Sequence, residues 1–210
     1  MKGNWYTLGY AGILGSVCAL LLTAAASFTA PYKAANADAE KKRNILDVLQ
    51  VSYSPDVSSQ QLLEVFEANV RQEDLGELTL YRYIQPEGSG EAETVAVAFE
   101  GPGLWGPIKG FLALGADMET IRGLTFYEQE ETPGLGGEIA SESFRRQFEG
   151  KKITDDAGNA GIVIKGGGEA SAVNEIDAIT GATMTCDKVE AILNEVAQKI
   201  VKEFRKEDGK

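Results

Sequence analysis

The sequence predicts an α+β domain behind one apolar N-terminal helix. Three observations lead there. Residues 6–30 hold no charge, short alternating segments follow one another between residues 78 and 164, and helical apolar spacing flanks them on both sides. The sheet they imply is mixed or antiparallel with flanking helices. By this reading residues 1–32 are a transmembrane anchor, 33–50 a membrane-proximal helix and 51–210 the folded domain.

The uncharged run covers 25 positions. At ~1.5 Å per residue such a helix is about 37 Å long, enough for a hydrocarbon core of roughly 30 Å. Trp5, Tyr6 and Tyr32 sit at its ends, where aromatic rings favour the interface. A cleavable leader is the competing reading, since Ala24–Ala26 and Ala34–Ala37 offer small residues, but the apolar part exceeds an ordinary leader core. The basic residues Lys33, Lys41, Lys42 and Arg43 outnumber the single Lys2. Taken literally, that count puts the C-terminal domain in the cytoplasm.

Beyond the anchor, Ile45, Leu46 and Leu49 share one helical face, and Ser54-Pro55-Asp56 ends that helix. Residues 58–71 form a second helical segment, with Leu62, Leu63, Phe66 and Val70 at core spacing. Leu78–Ile84 alternates as a strand, Pro86–Gly90 is a turn, and Thr94–Phe99 completes a hairpin. Gly101–Pro107 is too rich in Gly and Pro for a regular element. Ile108–Leu114 and Thr120–Glu128 are further strands, Phe144 and Phe148 lie one turn apart on a short helix ended by Gly150, and Ile162–Ile164 is a strand. Val189, Ile192, Leu193, Val196 and Ile200 mark the final amphipathic helix.

Composition narrows the chemistry. Twenty basic against 32 acidic side chains give a net charge of −12, which argues against nucleic acid as a partner. Histidine is absent, removing the commonest metal ligand and the usual neutral-pH base. Cys18 and Cys186 are too few for a metal cage, and a disulfide between an apolar run and a globular part is disfavoured. No metal site is expected, and redox chemistry here requires a cofactor. The glycine-rich segments lack the strand–GxGxxG–helix context, so NADH is expected to bind elsewhere.

The stretch Asp177–Thr185 precedes the last helix. Its Asp, then Thr180-Gly181-Ala182-Thr183, then Thr185, resembles the site at which an FMN transferase esterifies a threonine with the phosphate of FMN, and the resemblance makes Thr183 the modified residue. Gly181 permits a tight turn and Ala182 adds little bulk, so the hydroxyl is accessible to a large enzyme. The free N–H groups of a helix start suit a phosphodiester. The same residues also read as a turn and helix cap, with Thr185 or Asp187 as N-cap and Glu190 closing a capping box.

Further segments in order resemble one family, the FMN-bearing C subunit of the sodium-translocating NADH:quinone reductase, with the G subunit of the Rnf complex as sibling. They are the anchor, Lys42–Leu46, Gly103-Leu104-Trp105-Gly106, Lys109-Gly110-Phe111, Gly123–Glu128, Glu131–Gly137, Lys165-Gly166-Gly167 and Asp177–Thr183. Gly-Leu-Trp and the strand ending in Phe126-Tyr127-Glu128 favour the reductase over Rnf. The chain departs from the pattern in its compact region between residues 50 and 78.

The resemblance implies covalent FMN at Thr183 and a cleft between the glycine-rich loops. Gly134, Gly136, Gly166 and Gly167 would admit backbone N–H groups to the ring edge, and Lys165 would favour the charge of reduced flavin. Trp105 and Leu135 would contact the ring, Thr132 would donate to it, and Glu131 belongs to the same loop. Thr180, Gly181 and Ala182 flank the attachment point, and Asp177 would serve recognition or metal handling by the transferase. The plain alternatives are a loop-anchoring aromatic for Trp105, a solvated charge for Lys165 and a Pro-Gly turn for Glu131–Gly137. The family further implies an inner-membrane protein with its FMN domain outside the cytoplasm, against the charge count. It would be an electron-relay subunit, not catalytic alone, working with other subunits of a redox pump. An equivalent subunit of an Rnf-type complex, an anchored flavoprotein of another electron-transfer route, and a non-redox binding module are the alternative functions.

Overall fold

The structure is a computed structural model and describes residues 3–54, 56–84, 93–168 and 170–208, the last four by backbone alone. Pro55 and the expected Pro86–Gly90 turn lie outside the described residues. The chain divides into two compact units, Met1–Glu40 and Lys41–Lys210.

The first unit is the apolar part of helix α1, Gly3–Val48, with Pro31 inside it. It is long and apolar enough to cross a membrane by length and composition. Residues 33–48 continue the same helix. Its end is a Schellman arrangement, in which Val51 N–H donates to Leu46 O (2.9 Å) and Gln50 N–H to Asp47 O (3.0 Å). Gln50 takes the left-handed position that glycine usually fills, at φ 58°.

The second unit is built on a five-stranded antiparallel meander: β1 Val70–Leu75, β2 Leu78–Tyr83, β3 Thr94–Pro102, β4 Pro107–Gly115 and β5 Ile121–Glu128, paired in that order. β4 is buried on both faces, because each face carries a helical layer. Leu112 and Leu114 join the main core, together with Val97, Phe99 and Val189, Leu193 and Ile200 of α4, Thr183–Asp208. The opposite face carries Phe111 and Tyr81, whose rings meet edge-on at 5.7 Å, and Tyr81 in turn meets Phe66 of α2, Ser59–Asn69. Ile45, Leu46 and Leu49 are buried as their spacing required.

β1 was not expected. Val70 opens this strand instead of closing the helix before it, and its polar residues Arg71–Asp74 occupy the sheet edge, where charged side chains are tolerated. Gly101–Pro107 also differs from expectation. The strands run to Pro102 and Pro107, which face each other across a tight hairpin closed by Gly103 N–H to Gly106 O at 2.8 Å. Proline is tolerated there because the ladder ends there. Phe144 lies on α3, Glu142–Arg145, and Phe148 on the 3-10 turn after it, their rings 5.4 Å apart. β6, Val163–Lys165, pairs in parallel with β7, Glu175–Asp177.

Candidate functional site

Three segments converge at one end of the sheet: the β3–β4 hairpin tip, the Glu131–Gly136 turn and the start of α4. They enclose a cleft of about 330 Å³. Eight of the expected residues line it: Trp105, Glu131, Thr132, Leu135, Gly136, Gly181, Ala182 and Thr183. Leu104, Met184 and Thr185 complete the lining. Gly134 forms the turn beneath at φ 74°, and Thr180 immediately precedes the lining segment.

Glu131 organises the cleft. Its carboxylate is buried and accepts from Leu104 N–H (2.7 Å) and Trp105 N–H (3.2 Å) through Oε1, and from the Thr185 hydroxyl (2.7 Å) through Oε2. One side chain therefore ties the hairpin tip to the first turn of α4. The turn carrying Glu131 is closed by Leu135 N–H and Gly137 N–H on Thr132 O, at 3.1 and 2.9 Å. Gly136 is required by close packing, since a Cβ there would strike the Thr185 hydroxyl and the Glu131 carboxylate.

The helix start corrects the capping expectation. α4 begins at Thr183, so Thr185 and Asp187 lie inside it, and Glu190 accepts from Ile164 N–H (2.6 Å) instead of closing a capping box. Gly181 makes the entry turn at φ 81°. Thr183 is exposed at the first helical position, where the N–H groups of the first turn have no intrahelical acceptor.

Lys165, Gly166 and Asp177 are not part of this lining. Lys165 pairs with Glu175 at 2.5 Å, and this contact, with Ser171 and Ala172 N–H groups, pushes the Glu175 carboxyl down to about 2. Asp177 accepts from Ala170 N–H through Oδ1 (3.0 Å), and its backbone is bracketed by the Gln147 carboxamide, at 3.0 and 3.3 Å. Leu104 and Met184 were missed as lining residues although both stand in recognised motifs.

The residues present fit a flavin. Seven large apolar side chains of the second unit are exposed among the described residues, and four of them, Leu104, Trp105, Leu135 and Met184, wall this one cleft. Trp105 is 70% exposed, an apolar surface that a planar ring would cover.

A sequence-family profile for the FMN-binding domain matches residues 103–198. The C subunit of the Na(+)-translocating NADH-quinone reductase of Vibrio anguillarum is 45% identical over 101 residues, covering 48% of this chain and 40% of that protein. Its counterpart in Pasteurella multocida is 39% identical over 107 residues, 51% of this chain and 41% of that protein. The crystal structure of the same reductase component from Parabacteroides distasonis superposes with a TM-score of 0.68 at 26% identity, over 82% of this chain and 94% of that one. Over this region the chain is similar in sequence to these reductase subunits, and it shares the fold of the crystal structure. A second crystal structure, NqrC of Shewanella oneidensis, shares the fold at 21% identity, with a TM-score of 0.66 over 80% of this chain and 99% of that one. The matches span about two fifths of the length of the curated NqrC relatives.

Proposed function

We propose that Thr183 carries FMN through a phosphate ester, and that the chain relays electrons between neighbouring subunits of a Na(+)-translocating NADH-quinone reductase. The observation that carries this is the exposed Thr183 hydroxyl at the start of a long helix, beside a cleft whose walls are exposed apolar side chains. FMN, when attached, supplies electron-transfer chemistry that no side chain of this protein has.

Each part of the site has a task. The Thr183 oxygen takes the phosphoryl group, and the free N–H groups of the first turn of α4 offset its negative charge. Trp105, Leu104, Leu135 and Met184 provide the apolar cover and exclude water. Thr132 offers a hydroxyl to the ring edge, and Gly134 and Gly136 let the backbone come close. Glu131 holds hairpin and helix in register. Lys165, at the end of β6 and paired with Glu175, and Gly166 stand outside the lining and take no part in holding the ring, while Asp177 serves recognition by the transferase. A carrier bound covalently cannot exchange with solution, so it serves fixed neighbours and is not an enzyme alone. Residues 6–30 anchor it in the inner membrane, with the domain on the extracytoplasmic side where the transferase acts.

The test is Thr183→Ala in the native host. In-gel flavin fluorescence of this protein and NADH-dependent quinone reduction by the membranes should both disappear while the variant stays in its complex. Retention of both in the variant would overturn the proposal.

A further inference from the structure

The wall of the Thr183 cleft holds a charge whose effect reaches past its bonds. Among the described residues that line the cleft, Glu131 is the one charged side chain, and no lysine or arginine joins it.

Burial gives this charge its weight. Glu131 is 4% exposed, and glycines leave room for both of its oxygens: a Cβ on Gly103 would come within 2.6 Å of Oε1, and one on Gly136 within 2.9 Å of Oε2. The three groups bonded to the carboxylate are all neutral, the Leu104 and Trp105 N–H groups and the Thr185 hydroxyl. Backbone N–H groups can only donate, so they suit the ionised form. Neutral donors stabilise a carboxylate without cancelling its charge, and salt screens a buried charge much less than an exposed one.

The cations of the neighbouring elements are engaged elsewhere. Lys109 of β4 pairs with Glu128 at 3.1 Å, and Lys165 of β6 with Glu175 at 2.5 Å. Lys188, further along α4, is exposed, as is Asp187 beside it. Glu130 is also exposed, and its carboxylate lies against Gly106 of the hairpin tip, adding acidic charge on the same side. The positive end of α4 is taken up by the phosphate of the flavin reading. The fixed charge in the wall is therefore negative, opposite in sign to the Lys165 contribution expected from the sequence.

We infer that Glu131 sets the reduction potential of the attached flavin, holding it below the value the same cleft would give with a neutral side chain. This rests on the flavin reading. Each electron that the ring takes from a neighbouring subunit adds one negative charge until a proton follows from solvent. A poorly screened carboxylate in the wall opposes that added charge. At an effective dielectric constant of ~20, a unit charge acting over about 10 Å changes an equilibrium constant by about tenfold. For a one-electron step, tenfold corresponds to about 59 mV. The carboxylate thus makes the flavin a readier donor to the next carrier and restricts its own reduction to stronger reductants.

The test uses the full chain with its flavin, purified in detergent from the native host. It is reduced stepwise with dithionite in the presence of redox mediators and followed by flavin absorbance, so every value is read per attached flavin. Glu131→Gln removes the charge and keeps the clamp, and should increase the ratio of reduced to oxidised flavin at a fixed potential about tenfold. Glu131→Met, a second neutral side chain of similar length, should raise the potential as well. Thr185→Val loosens the same clamp but keeps the charge, and should not raise it. Lys165→Gln should change the ratio less than about twofold, because Lys165 is paired with Glu175 outside the lining. A flavin-bearing parent whose potential is unchanged or lowered in both neutral variants, or is raised equally by Thr185→Val, overturns the inference and leaves the flavin reading standing. A parent without attached flavin overturns both.

Discussion

Glu131 gives the sharpest prediction about how the cleft is held. Its carboxylate meets three donors, Leu104 N–H, Trp105 N–H and the Thr185 hydroxyl, and both it and Thr185 are buried. Glu131→Ala strands all three and opens a void. Hydrogen bonds to a charged acceptor contribute about 1.5–3 kcal/mol each, but the two hairpin N–H groups lie near solvent and recover water, so the expected loss is about 3 kcal/mol in all. Glu131→Gln behaves differently. Its carbonyl oxygen still accepts from the hairpin, and its amide donates to the Thr185 hydroxyl, which turns to accept, so the loss is about 1 kcal/mol. For a folded unit of this size, each kcal/mol lowers the melting temperature by about 2–4 °C, giving a drop of about 6–12 °C for Ala and about 2–4 °C for Gln. Thr185→Val should fall between them, and its effect should largely vanish in the Glu131→Ala background. The assay is thermal unfolding of the full chain in detergent, followed by tryptophan fluorescence. Equal shifts for Ala and Gln, or additive effects of the two sites, would refute the assignment of the clamp.

Other consequences are more local. Trp105→Ala should change stability by no more than about 0.5 kcal/mol, because the side chain is exposed, yet should brighten the fluorescence of the attached flavin by removing a stacking neighbour. Gly136→Ala should cost about 1–3 kcal/mol and lower flavin loading, since its methyl group strikes Thr185 and Glu131, read by melting and by flavin absorbance per chain. Glu175 is held near 2 against an ordinary value of 4.5. A carboxyl lowered on folding contributes stability that is complete above its unfolded value and is lost as pH falls toward its folded one. Urea unfolding should therefore show a steeper loss of stability below about 4.5 in the parent than in Glu175→Gln, and equal slopes would contradict the ion pair.

Most of the fold was legible where side chains alternate or recur. Leu112 and Leu114 against Phe111 and Ala113, and Val189, Leu193 and Ile200 along α4, state their burial in their spacing. β1 was hidden because Arg71–Asp74 have little strand preference. Its pairing with β2 makes it a strand. The hairpin tip was read as irregular because Pro102 and Pro107 look like breakers, although both sit where the ladder stops. The site shows the same division. Thr183, Trp105 and the Glu131–Gly136 turn announce themselves by motif, whereas the Glu131–Thr185 bond joins residues 54 positions apart and leaves no local trace. The capping alternative placed the helix start too late, since a hydroxyl or carboxylate near a helix start resembles a cap whatever its actual partner.

Peptide mass spectrometry of the protein from its native membrane decides whether Thr183 carries an FMN ester, with Thr183→Ala prepared in the same host. The Thr183 peptide should gain the mass of FMN less one water, and the variant peptide should gain none. An unmodified Thr183 peptide, from cells whose transferase is shown to modify another substrate, would contradict it.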